Sequence, residues 1–262
     1  MPSLEICTGI GCSVGCTKYC PQEIFTRNYR GERRLSFDGF KEIISTVPPE
    51  VTLIFAGISE PMLNQSATDM ILYASAKGHK IQLLTTLVGL TLQDAEDLVV
   101  VPFDDFILHL PDVERNARIP QTPEYFAVQS HILANVSRIR FMNMGGYFAT
   151  DHSEDMIRGN PLPKKQYRIT CDRMEDPAYF VLPNGAVYYC IMTKGQSHKI
   201  GSLYTCTWDE LTAKLPVVAK ELKADKDSIC YQCCYAQPYW LHKLVEIKMN
   251  VLGKKKLFEV RI

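Results

Sequence analysis

The chain has 262 residues, 46% of them apolar and 22% charged, ordinary proportions for a protein that buries a sizeable core. Lys plus Arg and Asp plus Glu balance at 29 each, so no overall field points to a polyanionic partner, and nucleic acid is without support. No apolar run approaches the roughly 20 residues that span a bilayer, and the opening MPSLEIC lacks the basic-then-apolar layout of a secretory signal.

A cytoplasmic location away from membranes is therefore expected. There thiols stay reduced, so ten cysteines point to metal or cluster ligation and not to disulfides. LEICTGI opens as a buried strand and runs into CSVGCTKYC at 12–20, three cysteines with three residues in each gap. SFDGFKEIISTVPP puts Phe40, Ile43, Ile44 and Val47 on one helical face, with Ser36 as cap and Pro48-Pro49 as stop. VTLIFAG is a fully apolar strand, NQSATDMILYASAKG a helix ended by Gly78, and KIQLLTT the next strand. TLQDAEDLV is a short helix with Thr91 and Asp94 at capping-box spacing, and DFILHL is a fourth strand. TPEYFAVQSHILANV is a helix with Pro123 in its first turn, RIRFMNM a fifth strand, and QYRIT a candidate sixth.

Strands alternating with helices imply a parallel sheet with right-handed crossovers. Five or six units cannot close an eight-fold barrel. The expected fold class is thus α/β, a partial (β/α)6 TIM-like barrel over 1–165, with its chemistry at the C-terminal ends of the strands. CSVGCTKYC follows the first strand, where that rule puts an active site. From about 166 the texture changes. YFVLPNGAVYYC is a hairpin about Asn184-Gly185, WDELTAKLPVVAKEL a helix broken or kinked near Pro216, and CYQCC and a tail close the chain. A small C-terminal hairpin-and-helix domain over 166–262, dense in cysteine, is expected.

The cysteines form two groups, Cys12, Cys16 and Cys20 near the start and Cys171, Cys190, Cys206, Cys230, Cys233 and Cys234 near the end, with Cys7 alone in the first strand. A structural zinc site takes four protein ligands. Three thiolates on one loop can instead hold three irons of a cubane [4Fe–4S] cluster and leave the fourth iron for a small molecule. CSVGCTKYC resembles the cluster loop of the radical S-adenosylmethionine superfamily, Cys-x3-Cys-x-aromatic-Cys after the first strand of a partial barrel. It has one residue more in the second gap, and Tyr19 keeps the aromatic place. FAGISEPMLN, after the second strand, resembles that family's Gly-Gly-Glu-Pro-like turn, which binds the methionine amino group. Gly57, Ser59, Glu60 and Pro61 fall on the pattern, with Ser59 in place of the second glycine. The resemblance implies that Glu60 offers its carboxylate to the ammonium. LLTTLVGL ends the third strand as the family's Thr-Asn-Gly segment does, with Thr86 and Leu87 in place of asparagine and glycine. Arg140 and Asn143 lie where the family's fifth strand contacts the cofactor.

The later group resembles the family's twitch domain, the shortened SPASM extension, in Cys171, Gly185, Cys190, Cys230 and Cys233 and in KIGSLYT after the hairpin. That likeness implies one auxiliary [4Fe–4S] cluster on Cys171, Cys190, Cys230 and Cys233, with Cys234 able to replace Cys233. The family chemistry implied is reductive cleavage of S-adenosylmethionine, fed by a donor such as flavodoxin or ferredoxin, to a 5′-deoxyadenosyl radical. That radical takes hydrogen from a small-molecule or peptide substrate, a sugar-like polyol by analogy, and the auxiliary cluster accepts an electron, as in a dehydrogenase-like oxidoreductase. His109, Asp105 and Arg140 are the candidate catalytic bases. Two alternatives stand beside this reading. One is a radical epimerase or peptide-modifying enzyme in which Cys206 or Cys234 returns hydrogen. The other is a zinc-stabilised module or electron carrier without catalysis. Residue by residue, His109 is also readable as a structural histidine, Arg140 as a carboxylate's partner, and Cys7, Cys206 and Cys234 as small apolar residues.

Overall fold

A computed structural model describes residues 2–16, 20, 26–27, 29–111, 115, 117–143, 166, 168–170, 178–190, 198–226, 229–233 and 236–238. Strand and helix alternate through the first half: β1 (Ser3–Cys7), α1 (Phe37–Ile44), β2 (Thr52–Ala56), α2 (Ala67–Ala76), β3 (Ile81–Thr85), α3 (Leu92–Leu98), β4 (Asp105–Leu110), α4 (Pro123–Asn135) and β5 (Ile139–Asn143). The second half holds β6 (Ile169–Thr170), β7 (Ala178–Val181), β8 (Ala186–Tyr188), β9 (Lys199–Ser202), α5 (Trp208–Thr212), α6 (Leu215–Ala224) and β10 (Gln237–Pro238).

Local chemistry sets the helix starts. Ser36 Oγ accepts from the Gly39 amide, Thr91 and Asp94 cap each other reciprocally, and Thr122 precedes Pro123 at the first turn of α4. Pro216 falls in the first turn of α6, so the expected helix divides there into α5 and α6.

The sheet runs in the order β5-β4-β3-β2-β1-β7-β8-β9, and every pairing from β5 to β7 is parallel. The result is a mixed α/β fold on a mostly parallel sheet. One expectation changes. The sixth parallel strand is β7, seated beside β1, whereas the QYRIT segment supplies β6, which pairs antiparallel with β10 in a separate ladder. The hairpin β7–β8 of the C-terminal segment continues the main sheet through β1. Tyr204 locks this hairpin: its hydroxyl donates to Pro183 O at 3.1 Å, and a Cβ on Gly185 (φ +73°) would meet its ring at 2.5 Å. Glycine is the residue that this turn admits.

Strand alternation sorts the side chains. Leu4, Ile6, Leu53, Phe55, Leu83, Phe106 and Leu108 are fully buried in one core with Phe40 and Ile43 of α1 and Met70 and Ile71 of α2. Each such side chain contributes about 1.5–3 kcal/mol by leaving water. Cys7 belongs to a second, smaller cluster with Ile10, Tyr29, Ile58 and Phe180. Among the described residues no helix is long and apolar enough to cross a membrane.

Candidate active site

The loop after β1 is pinned from several sides. Thr8 O accepts from the Leu35 amide at 3.0 Å, and the Ile10 amide donates to Arg33 O at 2.7 Å. Val14 is 1% exposed and plugs the main core, while Cys12 and Cys16 pack partly buried against it. Gly11 (φ +93°) and Gly15 (φ +56°) each precede a cysteine, so the chain turns through left-handed backbone just before two of the three thiols. The sequence carried these glycines; their turning role needed the dihedrals.

The β2 tip meets the loop at two thiols. Cys20 Sγ donates to Ile58 O at 3.4 Å, and the Glu60 amide donates to Cys12 Sγ at 3.4 Å. Gly57 (φ +115°) lets β2 turn there, and a Cβ on it would press on Cys7 and Phe180 at 3.3 Å. Thr8 Oγ1 donates to Pro61 O at 3.0 Å, and buried Asn64 Nδ2 donates to both Thr8 O and Leu35 O at 2.8 Å. Ser59 is buried at the same tip. Asn64 and Thr8 were missed from sequence, since their partners lie 56 residues apart.

Glu60 has a full set of partners within the chain. Its side chain is 6% exposed, and four donors surround the carboxylate. Oε1 accepts from Thr85 Oγ1 at 2.5 Å and the Met62 amide at 3.2 Å, and Oε2 accepts from the Thr86 amide and Thr86 Oγ1, both at 2.7 Å. A carboxylate has about four lone-pair sites, so none is left over for an ammonium. Burial pushes this carboxyl up, and the four donors oppose the push. Glu60 therefore ties the β2 tip to the β3 tip. Tyr125 of α4 extends the tie by donating to Thr86 O at 3.1 Å. Leu87 follows at φ 63°, steadied by its amide on Thr85 Oγ1 at 2.8 Å, so a leucine here holds the backbone region that glycine favours.

The other expected site residues separate. Asp105 and Arg140 face each other on adjacent strands in a two-pronged ion pair, Nε to Oδ1 at 2.8 Å and Nη2 to Oδ2, which ties edge strand β5 to β4. Asp105 is the first residue of β4, at the end of that strand opposite Leu110. In the structure the two form a strand-pairing salt bridge, and a guanidinium stays protonated, which does not favour Arg140 as a base. Asn143 ends β5 in register with Leu110. Tyr19 lies outside the described residues.

His109, next to last in β4, is half-buried, and burial lowers its pKa to about 4. It is neutral at pH 7. As pH falls below about 6.5 the unfolded chain takes up a proton that folded His109 refuses until about pH 4, so stability drops across that window by up to about 3 kcal/mol. The difference in melting temperature between wild type and His109→Gln should therefore shift toward the variant as pH falls from 7 to 4.5. A difference constant with pH would refute it.

In the later group, Cys190 and Cys230 are partly exposed and Cys233 is buried, with its amide on Cys230 O at 3.2 Å in the turn that Ile229–Gln232 opens. Thr170 pairs with Gln237, so β6 runs beside the segment that follows Cys233. Cys171 and Cys234 lie outside the described residues. Cys206 sits past β9 with Lys214 Nζ at 4.0 Å, three strands from β1. Among the described residues no three His, Cys, Asp or Glu side chains converge on one metal-ion position. A cubane differs from a single ion in taking each thiolate at a different iron.

No family model matches the chain, and no curated protein does. Solved structures do. BtrN in complex with AdoMet and 2-DOIA is 13% identical, with a TM-score of 0.60 over 90% of this chain and 93% of that one. Native anSMEcpe with bound AdoMet is 14% identical, with a TM-score of 0.56 over 90% of this chain and 87% of that one. Native anSMEcpe with AdoMet and the Kp18Cys peptide is 15% identical, with a TM-score of 0.52 over 89% and 86%. The chain shares their fold. At this identity the likeness is one of architecture, and it spans both halves of the chain.

Proposed function

We propose that this chain is a radical S-adenosylmethionine enzyme on a partial barrel, in which Cys12, Cys16 and Cys20 would hold a [4Fe–4S] cluster and its fourth iron takes S-adenosylmethionine. The observation that carries the reading is the meeting of the cysteine loop with the β2 tip, Cys20 on Ile58 O and the Glu60 amide on Cys12 Sγ. AdoMet in BtrN and anSMEcpe, on the same fold, supports it. The donors suit a cubane: soft, partly exposed thiols on one loop, with an amide N–H aimed at a sulfur. When bound, cluster and cofactor supply one-electron cleavage and hydrogen-atom abstraction.

The chain's own residues hold, orient and exclude water. Gly57, Ser59, Pro61 and Thr86 would present the backbone of two strand tips to the cofactor, Tyr19 and Asn143 are assigned to it by the family resemblance alone, and Glu60 keeps the tips in register. His109 stays a candidate base by its place near the end of β4, although the burial that lowers its pKa to about 4 makes it a weak proton acceptor. Cys171, Cys190, Cys230 and Cys233 would hold an auxiliary cluster in a twitch-like unit, the electron acceptor of a dehydrogenase-like oxidation. BtrN binds 2-DOIA and anSMEcpe a peptide, so a small molecule or a peptide is the substrate class, with a flavodoxin- or ferredoxin-like donor as reductant.

Anaerobically reconstituted protein should carry about eight irons and as many sulfides per chain, and should release 5′-deoxyadenosine from S-adenosylmethionine under reductant. About four irons would remove the auxiliary cluster alone. Zinc without sulfide would end the reading.

A further inference from the structure

A groove of about 440 Å³ opens at the C-terminal end of β4, walled by Pro111, Arg115, Arg118, Ile119, Pro120 and Gln121. Its position follows from packing. Ala117 and Ile119 are 6% and 7% exposed and plug into the core, so Arg118 between them stands out toward solvent. The Arg118 amide donates to Val14 O at 2.6 Å, and a Cβ on Gly15 would lie 3.8 Å from Arg118 Nε. The groove and the cysteine loop thus share a wall. Among the described residues no carboxylate pairs with Arg115 or Arg118. Two guanidinium forks on one groove match the planar oxygens of a phosphate or carboxylate, and the volume lies within the small-ligand range.

We propose that Arg115 and Arg118 form an anion-recognition subsite that takes a phosphate or carboxylate group of the substrate. The word substrate rests on the radical-enzyme reading above; binding of the anion does not. A second source of the same chemistry is the methionyl carboxylate of S-adenosylmethionine, and the test separates the two.

Apo full-length protein is titrated with inorganic phosphate by calorimetry at constant ionic strength. Wild type should bind one phosphate saturably. Arg115→Gln and Arg118→Gln should each weaken binding about tenfold, the scale of losing one charge-assisted bidentate contact, with Arg118→Lys in between. Arg30→Gln, which removes an exposed arginine outside the groove, should change nothing, and circular dichroism should show every variant folded. No saturable binding by wild type, equal loss in Arg30→Gln, or full binding by the Arg115→Gln/Arg118→Gln double variant overturns the subsite. In reconstituted protein, saturating S-adenosylmethionine should leave phosphate affinity unchanged; competitive displacement gives the arginines to the cofactor and overturns the substrate assignment. Protein that binds phosphate at these arginines yet makes no 5′-deoxyadenosine keeps the anion site and loses only the radical reading.

Discussion

Alanine at Cys12, Cys16 or Cys20 should abolish 5′-deoxyadenosine formation, while Cys7→Ala should retain it. All four thiols lie within 14 residues, and none of them is in a disulfide, so sequence distance does not separate them. Their surroundings do. Cys7 is 0% exposed, its thiol donates to Gly9 O at 3.1 Å, and burial pushes its pKa up to about 12. A thiolate is the metal-binding form, and burial without a cation withholds it. The trio is partly exposed on the loop that meets the β2 tip. Each trio variant should lose about four of about eight irons and fall to background turnover. Cys7→Ala should keep its iron and lose about 1–3 kcal/mol of stability by the cavity it leaves. A trio variant with full iron and full turnover would remove the proposed cluster from this loop.

Glu60→Gln should lower stability by about 2–4 kcal/mol, for a reason that the shape of the side chain does not show. The amide keeps the volume but turns one acceptor oxygen into an NH2 that faces two donors. Whichever way it flips, it meets either Thr85 and Met62 or the amide and hydroxyl of Thr86. A fall in melting temperature of about 6–12 °C is expected for a chain of this size. Thr86→Val and Glu60→Gln should be coupled by about 1–2 kcal/mol in a double-mutant cycle, as members of one buried network are. At low temperature the folded variant should bind S-adenosylmethionine with loosened, not abolished, affinity. If Glu60→Gln is as stable as wild type and loses only cofactor affinity, the carboxylate serves an ammonium after all and the tie between strand tips is wrong.

These two expectations trace back to different depths of the molecule. The cysteine loop, its place after the first strand, the helix caps at Ser36, Thr91 and Thr122, and the turn at Asn184-Gly185 were readable because each is decided within a few residues, by capping, by strain at positive φ, or by strand periodicity. Glu60 was singled out from the sequence, but the donors that its carboxylate meets in the structure were not. Its four donors come from Met62, Thr85 and Thr86, and the last two lie 25 and 26 residues away on another strand. The same holds for Arg140 and Asp105. The types suit proton transfer, but strand pairing 35 residues apart makes them each other's counterion.

Topology shows the same division. The pattern of the chain called for parallel strands and helices in alternation, and its composition and periodicity were enough for that. It did not say that β7 would sit on β1, nor that Ile169–Thr170 would leave the main sheet to pair with Gln237–Pro238. Those choices compare free energies of whole arrangements: which apolar faces can be covered at once, and which edges are left for a short strand to join. No window of neighbouring residues contains that comparison, so only the folded chain decides it.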